Sequence, residues 1–416
     1  MRILIAGQTY YIKNNGQAVF TINLAEGLAR TGYDVLVLAP SERARPYQKQ
    51  FNGLTIQTVR TMTLPFNVNV SLPSDRLVSR ILAEFRPDII HLQDHYFLSR
   101  SVLREARRRD VLVMGTNHFL PDNLTYNLPI PGWVRKPLNR WLWKNMLSVY
   151  NTLSAVTTPT ETAARILRQQ DIRVPVQAIS CGVEQTRYYV RPEVDRRAMR
   201  QRHGLDPDKA LFLYVGRVDR EKELHVLMHA LASLKRHDLQ LAIVGRGSHL
   251  ALLKTLCRVL SLQQQVIFPG YVPEDDLPLL LNSADIFAMP SRAELQSIAT
   301  LEAMSSGLPV LAANARALPE LVEHGANGYL FPVGNVVEAA RGIAALADQR
   351  AQWPKMGQIS MAKASQHSLQ NTIQRYATLY ENIYTHHKML PVQRSYSPVA
   401  GRPVHTQKKQ VHYEKP

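Results

Sequence analysis

Short apolar runs alternate with helical periodicities along most of the chain. Residues 2–7 (RILIAG) and 35–39 (VLVLA) read as short buried strands. Between them, Gln17 to Arg30 places Ala18, Ile22, Ala25 and Leu28 at helical spacing. A strand–helix–strand opening of this kind implies a parallel sheet with a right-handed crossover. The alternation continues with strands at 88–92, 111–114, 155–158 and 176–180, and resumes at 211–215, 240–244, 266–269 and 286–289. Helices are expected at 100–109 (RSVLREARRR), after Pro159-Thr160-Glu161, near 274–283, 318–324 and 336–347, and over the Tyr-rich stretch 368–387. Residues 185–209 are polar and Arg-rich, with Pro192 and Pro207, and mark a boundary. The expected organisation is α/β with a domain over 1–185, a second over 186–367, and helix 368–387 returning to the first. The basic tail 388–416, with Pro391, Pro398, Pro403 and Pro416, is expected to be disordered.

Composition narrows the class. A chain of 416 residues can bury two full cores. No run of about 18 apolar residues is present, so no membrane-spanning helix is expected. The start, Met-Arg-Ile-Leu-Ile-Ala-Gly, reads as a strand rather than a secretory leader. Cys181 and Cys257 make neither a disulfide framework nor a metal site, and a reducing cytoplasm is the expected compartment. The net charge of +17 is unevenly spread: residues 1–180 hold 22 Lys and Arg against 12 Asp and Glu, and residues 388–416 hold 6 against 1. Such an excess attracts anionic membranes or nucleic acid. Within it, Trp133, Trp141 and Trp143 alternate with Arg135, Lys136, Arg140 and Lys144, and Pro137 sets the expected start of a helix. Trp with Lys and Arg on one amphipathic segment suits an anionic membrane surface. A core helix with a solvated basic face is the competing reading. Nucleic acid ranks last, because no nucleic-acid-binding motif accompanies the patch.

The stretch 285–310 (DIFAMPSRAELQSIATLEAMSSGLPV) carries the chemistry. Its strand ends at Pro290, and Ser291 can cap a helix that stops at Gly307 and Pro309. On that helix Glu294 and Glu302, eight residues apart, share a face. The N–H groups of Leu295, Gln296 and Ser297 could hold phosphate oxygens, and the carboxylates could accept hydrogen bonds from sugar hydroxyls. Glutamates at this spacing more often belong to a solvated helix face. Gly216-Arg217-Val218-Asp219-Arg220-Glu221-Lys222 follows a strand, and Arg217 with Lys222 there could neutralise a diphosphate. Gly245, in Gly245-Arg246-Gly247, would allow close backbone approach, and Gly270-Tyr271-Val272 follows the next strand. His118 stands at a strand end, where open α/β sheets bind ligands. His95 reads as structural. The loop Gly7 to Gly16 lacks G-x-G-x-x-G, which excludes a dinucleotide redox fingerprint, and Asp206-Pro-Asp208 reads as loop chemistry.

Together, Glu294-x7-Glu302 with the following Ala-Met-Ser-Ser-Gly-Leu-Pro-Val310, and Gly216-Arg217 with Lys222, resemble a large family of retaining glycosyltransferases. It contains sucrose synthases, phosphatidylinositol mannosyltransferases and diacylglycerol glucosyltransferases. The resemblance covers most of residues 1–387. It implies the GT-B fold, two Rossmann-like doubly wound domains facing across a cleft. It implies transfer of a hexose from a nucleoside diphosphate sugar such as UDP-glucose, with no metal and no cofactor. In that scheme Arg217 and Lys222 stabilise the departing diphosphate and Glu302 holds the ribose. Glu294 binds the donor sugar and His118 orients it. Gly16 and Gly216 lie near the phosphates, and Gly245, Tyr271 and Val272 by the nucleoside. Where many members have Gly-Phe-Gly after the first Glu, this chain has Leu295-Gln296-Ser297 and looks most like the bacterial glycolipid-forming branch. The implied acceptor is diacylglycerol, at the inner face of the cell membrane, with Trp133, Arg135, Lys136, Arg140, Trp141 and Lys144 on the lipid. A soluble sugar or polyol acceptor, and a non-catalytic binding protein on the same scaffold, are the alternatives.

Overall fold

The structure is a computed structural model that describes residues 1–10, 16–43, 45–64, 68–127 and 130–389. The tail beyond 389 and Asn15 in the first loop lie outside the described residues.

Two sheets organise the chain. The first contains β1 (Arg2–Ala6), β2 (Asp34–Pro40), β3 (Gln48–Phe51) and β4 (Leu54–Val59). A separate hairpin, β5 (Thr61–Leu64) with β6 (Val68–Ser71), intervenes before β7 (Ile89–Leu92), β8 (Leu112–Thr116), β9 (Val156–Thr158) and β10 (Val176–Ala178). Its order is β10-β9-β8-β7-β1-β2-β4-β3, parallel except for the edge pair β3–β4. The second sheet contains β11 (Ala210–Val215), β12 (Leu239–Val244), β13 (Val266–Gly270), β14 (Ile286–Met289), β15 (Val310–Ala313) and β16 (Gly328–Phe331), in the order β13-β12-β11-β14-β15-β16. All its pairs are parallel. This is the strand order of the doubly wound dinucleotide fold, and both strand faces are buried, as parallel sheets require.

The strands anticipated from apolar runs are present. Those over 48–71, at 310–313 and at 328–331 are additional. β3 and β4 alternate polar and apolar residues weakly, and β3 is a mostly exposed edge.

The Leu369–Met389 helix leaves the second domain and packs on the first, against the Gly16–Arg30 helix. Tyr376 and Tyr380 are fully buried there. The Tyr376 hydroxyl sits 3.0 Å from Thr157 Oγ1 and 3.2 Å from Thr116 Oγ1, and the Tyr380 hydroxyl 2.7 Å from His91 Nδ1. The Arg-rich run after residue 185 is also structural in part. Arg200 is buried, donates to the carbonyls of Ser283, Pro207 and Lys209, and pairs with Asp285 at 2.8 Å. Asp206 and Asp208 lie in a loop, facing Lys209 and Arg197.

The helix expected from Pro137 begins earlier, at Gly132, and runs to Tyr150. Val134 and Arg135 donate to the Pro131 carbonyl, so the first turn closes ahead of Pro137 and the ring is tolerated near the helix start. No helix among the described residues is long and apolar enough to cross a membrane.

Candidate functional site

In each sheet the order reverses at one point, and in doubly wound folds the crevice at that reversal binds ligands. In the second sheet it falls between β11 and β14. The loop after β11 is Gly216 to Glu223, and the loop after β14 is Pro290 to Ser297. Arg292 N–H donates to the Glu221 carbonyl at 3.1 Å, which ties the two loops together. In the first sheet the reversal falls between β1 and β7, next to β8, whose end carries His118. Gly16 opens the helix after β1, and a Cβ there would lie 3.7 Å from Ile298 Cδ1 of the second domain. The two crevices therefore face each other across one cleft.

The helix of this stretch is shorter than its sequence suggests. It spans Ile298–Ser305, and Ser297, not Ser291, caps it by accepting from Thr300 N–H. Glu294 consequently lies in the loop before the helix and does not share a helical face with Glu302. The first domain holds that loop in place. Asn123 Nδ2 donates to the Ala293 carbonyl at 3.1 Å, and Thr160 Oγ1 to the Leu295 carbonyl at 2.7 Å. Gln296 Oε1 accepts from Cys181 N–H at 2.7 Å, while its Nε2 donates to Ser180 Oγ at 2.9 Å. The Leu295 side chain joins the first-domain core. Ala293, Leu295 and Gln296 thus latch the two domains, a role the sequence reading did not assign.

Lys222 forms an ion pair with Glu294, both side chains nearly buried. Arg217 is half-exposed and pairs with Asp219 at 2.6 Å and Glu221 at 2.8 Å. Gly216 and Gly245 bring the ends of β11 and β12 together. Gly245 has φ 135°, and a Cβ there would stand 1.9 Å from the Gly216 carbonyl oxygen, so no other residue fits. Tyr271 is half-exposed with the Arg246 guanidinium 5.7 Å from its ring centre, and Val272 is buried beside it. This leaves a flat, accessible ring beyond β13.

His118 is half-buried. Its ring lies 4.9 Å from that of Phe20, and its Nε2 is 3.1 Å from Gln93 Oε1. Burial lowers its pKa to about 3, so it is neutral at ordinary pH. With the amide oxygen facing Nε2, that nitrogen carries the proton and Nδ1 is left to accept from a hydroxyl. His95 is buried among Tyr96, Phe119 and Tyr150, a packing position.

Glu302 lies on the Ile298–Ser305 helix and accepts a hydrogen bond from Tyr188. Burial raises its carboxyl to about 7, against the opposing effect of Tyr188. A folded-state pKa above the unfolded one stabilises the protonated fold. Its contribution is full below about 4.5 and is lost as pH rises through about 7. If Glu302 grips ribose hydroxyls as a carboxylate, nucleotide affinity moves the opposite way. Affinity for UDP is expected to rise about tenfold between about pH 6 and 8, following the ionised fraction. The E302Q variant should bind weakly and show no such rise. Titration calorimetry across this range checks both, and a flat wild-type profile removes Glu302 from the ribose.

The membrane-facing candidates divide. Trp133, Trp141, Arg140 and Lys144 are exposed on the Gly132–Tyr150 helix, and Trp143 turns inward into the core. Arg135 and Lys136 instead line an interdomain cavity of about 600 Å³, with Asp122, Tyr126, Arg292 and Arg316. Arg292 pairs with the buried Glu223 at 2.7 Å and stacks 4.3 Å over Tyr126, whose hydroxyl also reaches Glu223. Tyr126, Arg292 and Arg316 escaped the sequence reading. Only Arg292 carried a signal, as a cation two residues before Glu294. Among the described residues no group of His, Cys, Asp and Glu could hold a metal ion.

Two parallel-sheet α/β domains, with opposed crevices lined by cations, carboxylates and glycine turns, define the GT-B architecture. The comparisons agree. Residues 195–362 match the model for glycosyl transferases group 1, and residues 14–187 match glycosyltransferase family 4. The chain belongs to this family and is a glycosyltransferase. It is 27% identical over 340 residues to a sulfoquinovosyl transferase of Arabidopsis thaliana, covering 79% of this chain but 63% of that protein, less than two thirds of its length. It is 24% identical over 343 residues to an alpha-monoglucosyldiacylglycerol synthase of Streptococcus pneumoniae, covering 80% of this chain and 75% of that one. Among solved structures, sucrose-phosphate synthase from Thermosynechococcus elongatus superposes with TM-score 0.78 at 18% identity, over 93% of this chain and 100% of that chain. Anabaena HepE in complex with UDP-glucose gives 0.73 at 20%, over 92% and 100%. At these identities the superpositions establish the fold.

Proposed function

We propose that the protein transfers a hexose, glucose in the first instance, from a UDP-sugar to an acceptor presented at an anionic membrane surface. The configuration is retained and no metal takes part. The observation that carries this reading is the Gly132–Tyr150 helix. Its exposed Trp133, Trp141, Arg140 and Lys144 suit a lipid surface, while Arg135 and Lys136 of the same helix line the cavity beside Glu294. In this reading one element reaches from the membrane to the transfer point. The name of the streptococcal relative, a glucosyldiacylglycerol synthase, is consistent with such an acceptor. Diacylglycerol is the simplest lipid to test, and the inner face of the cell membrane is the site this reading implies.

In the proposed reaction Lys222 and Arg217 balance the departing diphosphate. For Arg217 this requires trading Asp219 or Glu221 for phosphate. Glu294 leaves Lys222 for the donor sugar, and neutral His118 accepts from a sugar hydroxyl. Gly16 and Gly216 lie at the phosphate side, Tyr271 and Val272 offer a platform for the base, and Glu302 takes the ribose. Ser297 caps the Ile298–Ser305 helix, and in this reading the N–H groups of Leu295, Gln296 and Ser297 take phosphate oxygens.

The test is UDP release from UDP-glucose with no acceptor, with soluble sugars, and with anionic vesicles containing diacylglycerol. Release confined to vesicles supports the membrane reading, and release with soluble sugars alone overturns it. Replacing Trp133 and Trp141 together with Ala should weaken vesicle binding roughly tenfold or more, from the aromatic area withdrawn. Co-sedimentation measures it, and unchanged binding would show the helix does not meet the lipid.

A further inference from the structure

We propose that the acceptor carries an anionic group, a phosphate or similarly charged headgroup, and that it seats in the interdomain cavity beside Glu294. This rests on the glycosyltransferase reading above and narrows its acceptor away from diacylglycerol itself. The cavity, about 600 Å³, is of a size for a sugar or polyol phosphate. Four cations line it, Arg135, Lys136, Arg292 and Arg316, against one carboxylate, Asp122. Arg292 is already matched by the buried Glu223, which is not part of the lining. Asp122 is engaged with Asn139 Nδ2 at 2.9 Å.

The other three cations have no carboxylate partner. Arg135 reaches only the Ile130 carbonyl, at 3.4 Å, and its Nε is buried without a hydrogen bond. Lys136 and Arg316 are exposed and form no ion pair with any described residue. Arg316 sits at φ 51° in the turn that Leu318 N–H closes on the Ala315 carbonyl. Like charges converging on a half-enclosed space repel, and the missing counter-charge is an anion. A bare glycerol hydroxyl would leave them unbalanced.

The donor diphosphate is not that anion, because neither Arg217 nor Lys222 lines this cavity. The position suits an acceptor. Arg292 and Ala293 form part of the wall, and Glu294 follows directly. In the transfer an acceptor hydroxyl oxygen bonds to the anomeric carbon as the bond from that carbon to the β-phosphate oxygen breaks. UDP leaves with the bonding pair, and the hydroxyl proton passes to that oxygen.

The test measures UDP release by the full chain with UDP-glucose and matched acceptors. Inositol is compared with inositol 1-phosphate in solution, and diacylglycerol with phosphatidylinositol in phosphatidylcholine vesicles. The charged member of a pair should be preferred at least tenfold in kcat/KM, and R135Q and R316Q should each collapse that preference through acceptor KM. Preference confined to the vesicles assigns a lipid headgroup, and preference in solution a free phosphate. Equal or better use of the neutral members overturns the proposal, as does a preference untouched by both variants. Should no acceptor turn over, inositol 1-phosphate is titrated calorimetrically onto the UDP-bound protein. Binding lost in R316Q supports the site, and no binding overturns it. Failure of UDP itself to bind would instead overturn the glycosyltransferase reading of the cleft.

Discussion

Lys222→Ala is expected to lower kcat by about two to three orders of magnitude, with a smaller change in donor KM. Lys222 is the cation that the fold delivers to the second-sheet crevice with its side chain nearly buried, and its partner there is Glu294. When a donor enters, the ammonium can exchange the carboxylate for a phosphate oxygen whose charge grows as the glycosidic bond breaks. An interaction that strengthens toward the transition state acts on kcat, and removing one such charge typically costs about 3–4 kcal/mol. The variant also leaves Glu294 without its counter-charge at a nearly buried position, which costs stability. Lys222→Arg separates the two effects, since it keeps the charge and changes the reach. Steady-state UDP release together with a thermal melt reads both. Turnover within about threefold of wild type for Lys222→Ala would place Lys222 outside the reaction and leave it as a structural ion pair between two loops of the second domain.

Tyr376→Ala should destabilise the first domain by about 3–5 kcal/mol, the usual loss for a large buried aromatic. The ring is fully buried, stacks at 5.4 Å on His91 and packs tilted at 5.6 Å against Phe20, and Phe20 in turn touches His118. The hydroxyl is shared by Thr116, the last residue of β8, and Thr157 in the middle of β9. Tyr376→Phe keeps the ring and should cost about 1 kcal/mol, the worth of one hydrogen bond. Urea unfolding followed by fluorescence and by hydrogen exchange would locate the loss. Exchange that accelerates in β1, β7 and β8, with the second sheet unaffected, is the expected pattern. Equal loss in both domains would mean the helix fastens the molecule as one cooperative unit. Because Tyr376 reaches His118 through Phe20, activity should also fall at temperatures where the variant is still folded.

The second-domain motifs were legible because each is a short covalent segment. Gly216-Arg217 and Lys222 follow one strand, and Glu294 and Glu302 flank one helix start. The strands of both sheets showed in their apolar runs because parallel strands are buried on two faces. The edge pair β3 and β4, the hairpin, β15 and β16 escaped, since runs of four to six residues with little alternation are no stronger than chance. The helix start was misplaced by six residues. Ser291 and Ser297 are equally good caps by composition, and the choice fell to Ser297 because the first domain holds residues 293–296 in a non-helical path. Likewise, Trp143 could not be told from Trp133 and Trp141 until the helix had a core to face.

By itself the sequence determined the two α/β domains, the glycosyltransferase motifs and the Tyr-rich helix, because local periodicity and short motifs encode these within a few turns of chain. The tertiary structure decided the rest. It made Ala293, Leu295 and Gln296 an interdomain latch, set Lys222 on Glu294, and gathered Arg135 and Lys136 with Arg292 and Arg316 around one cavity. Those pairings join residues from 72 to more than a hundred positions apart. The Lys222–Glu294 pair forms when the loops after two strands of one sheet meet, and the latch and the cavity form only when the two domains dock, so no local pattern carries that information.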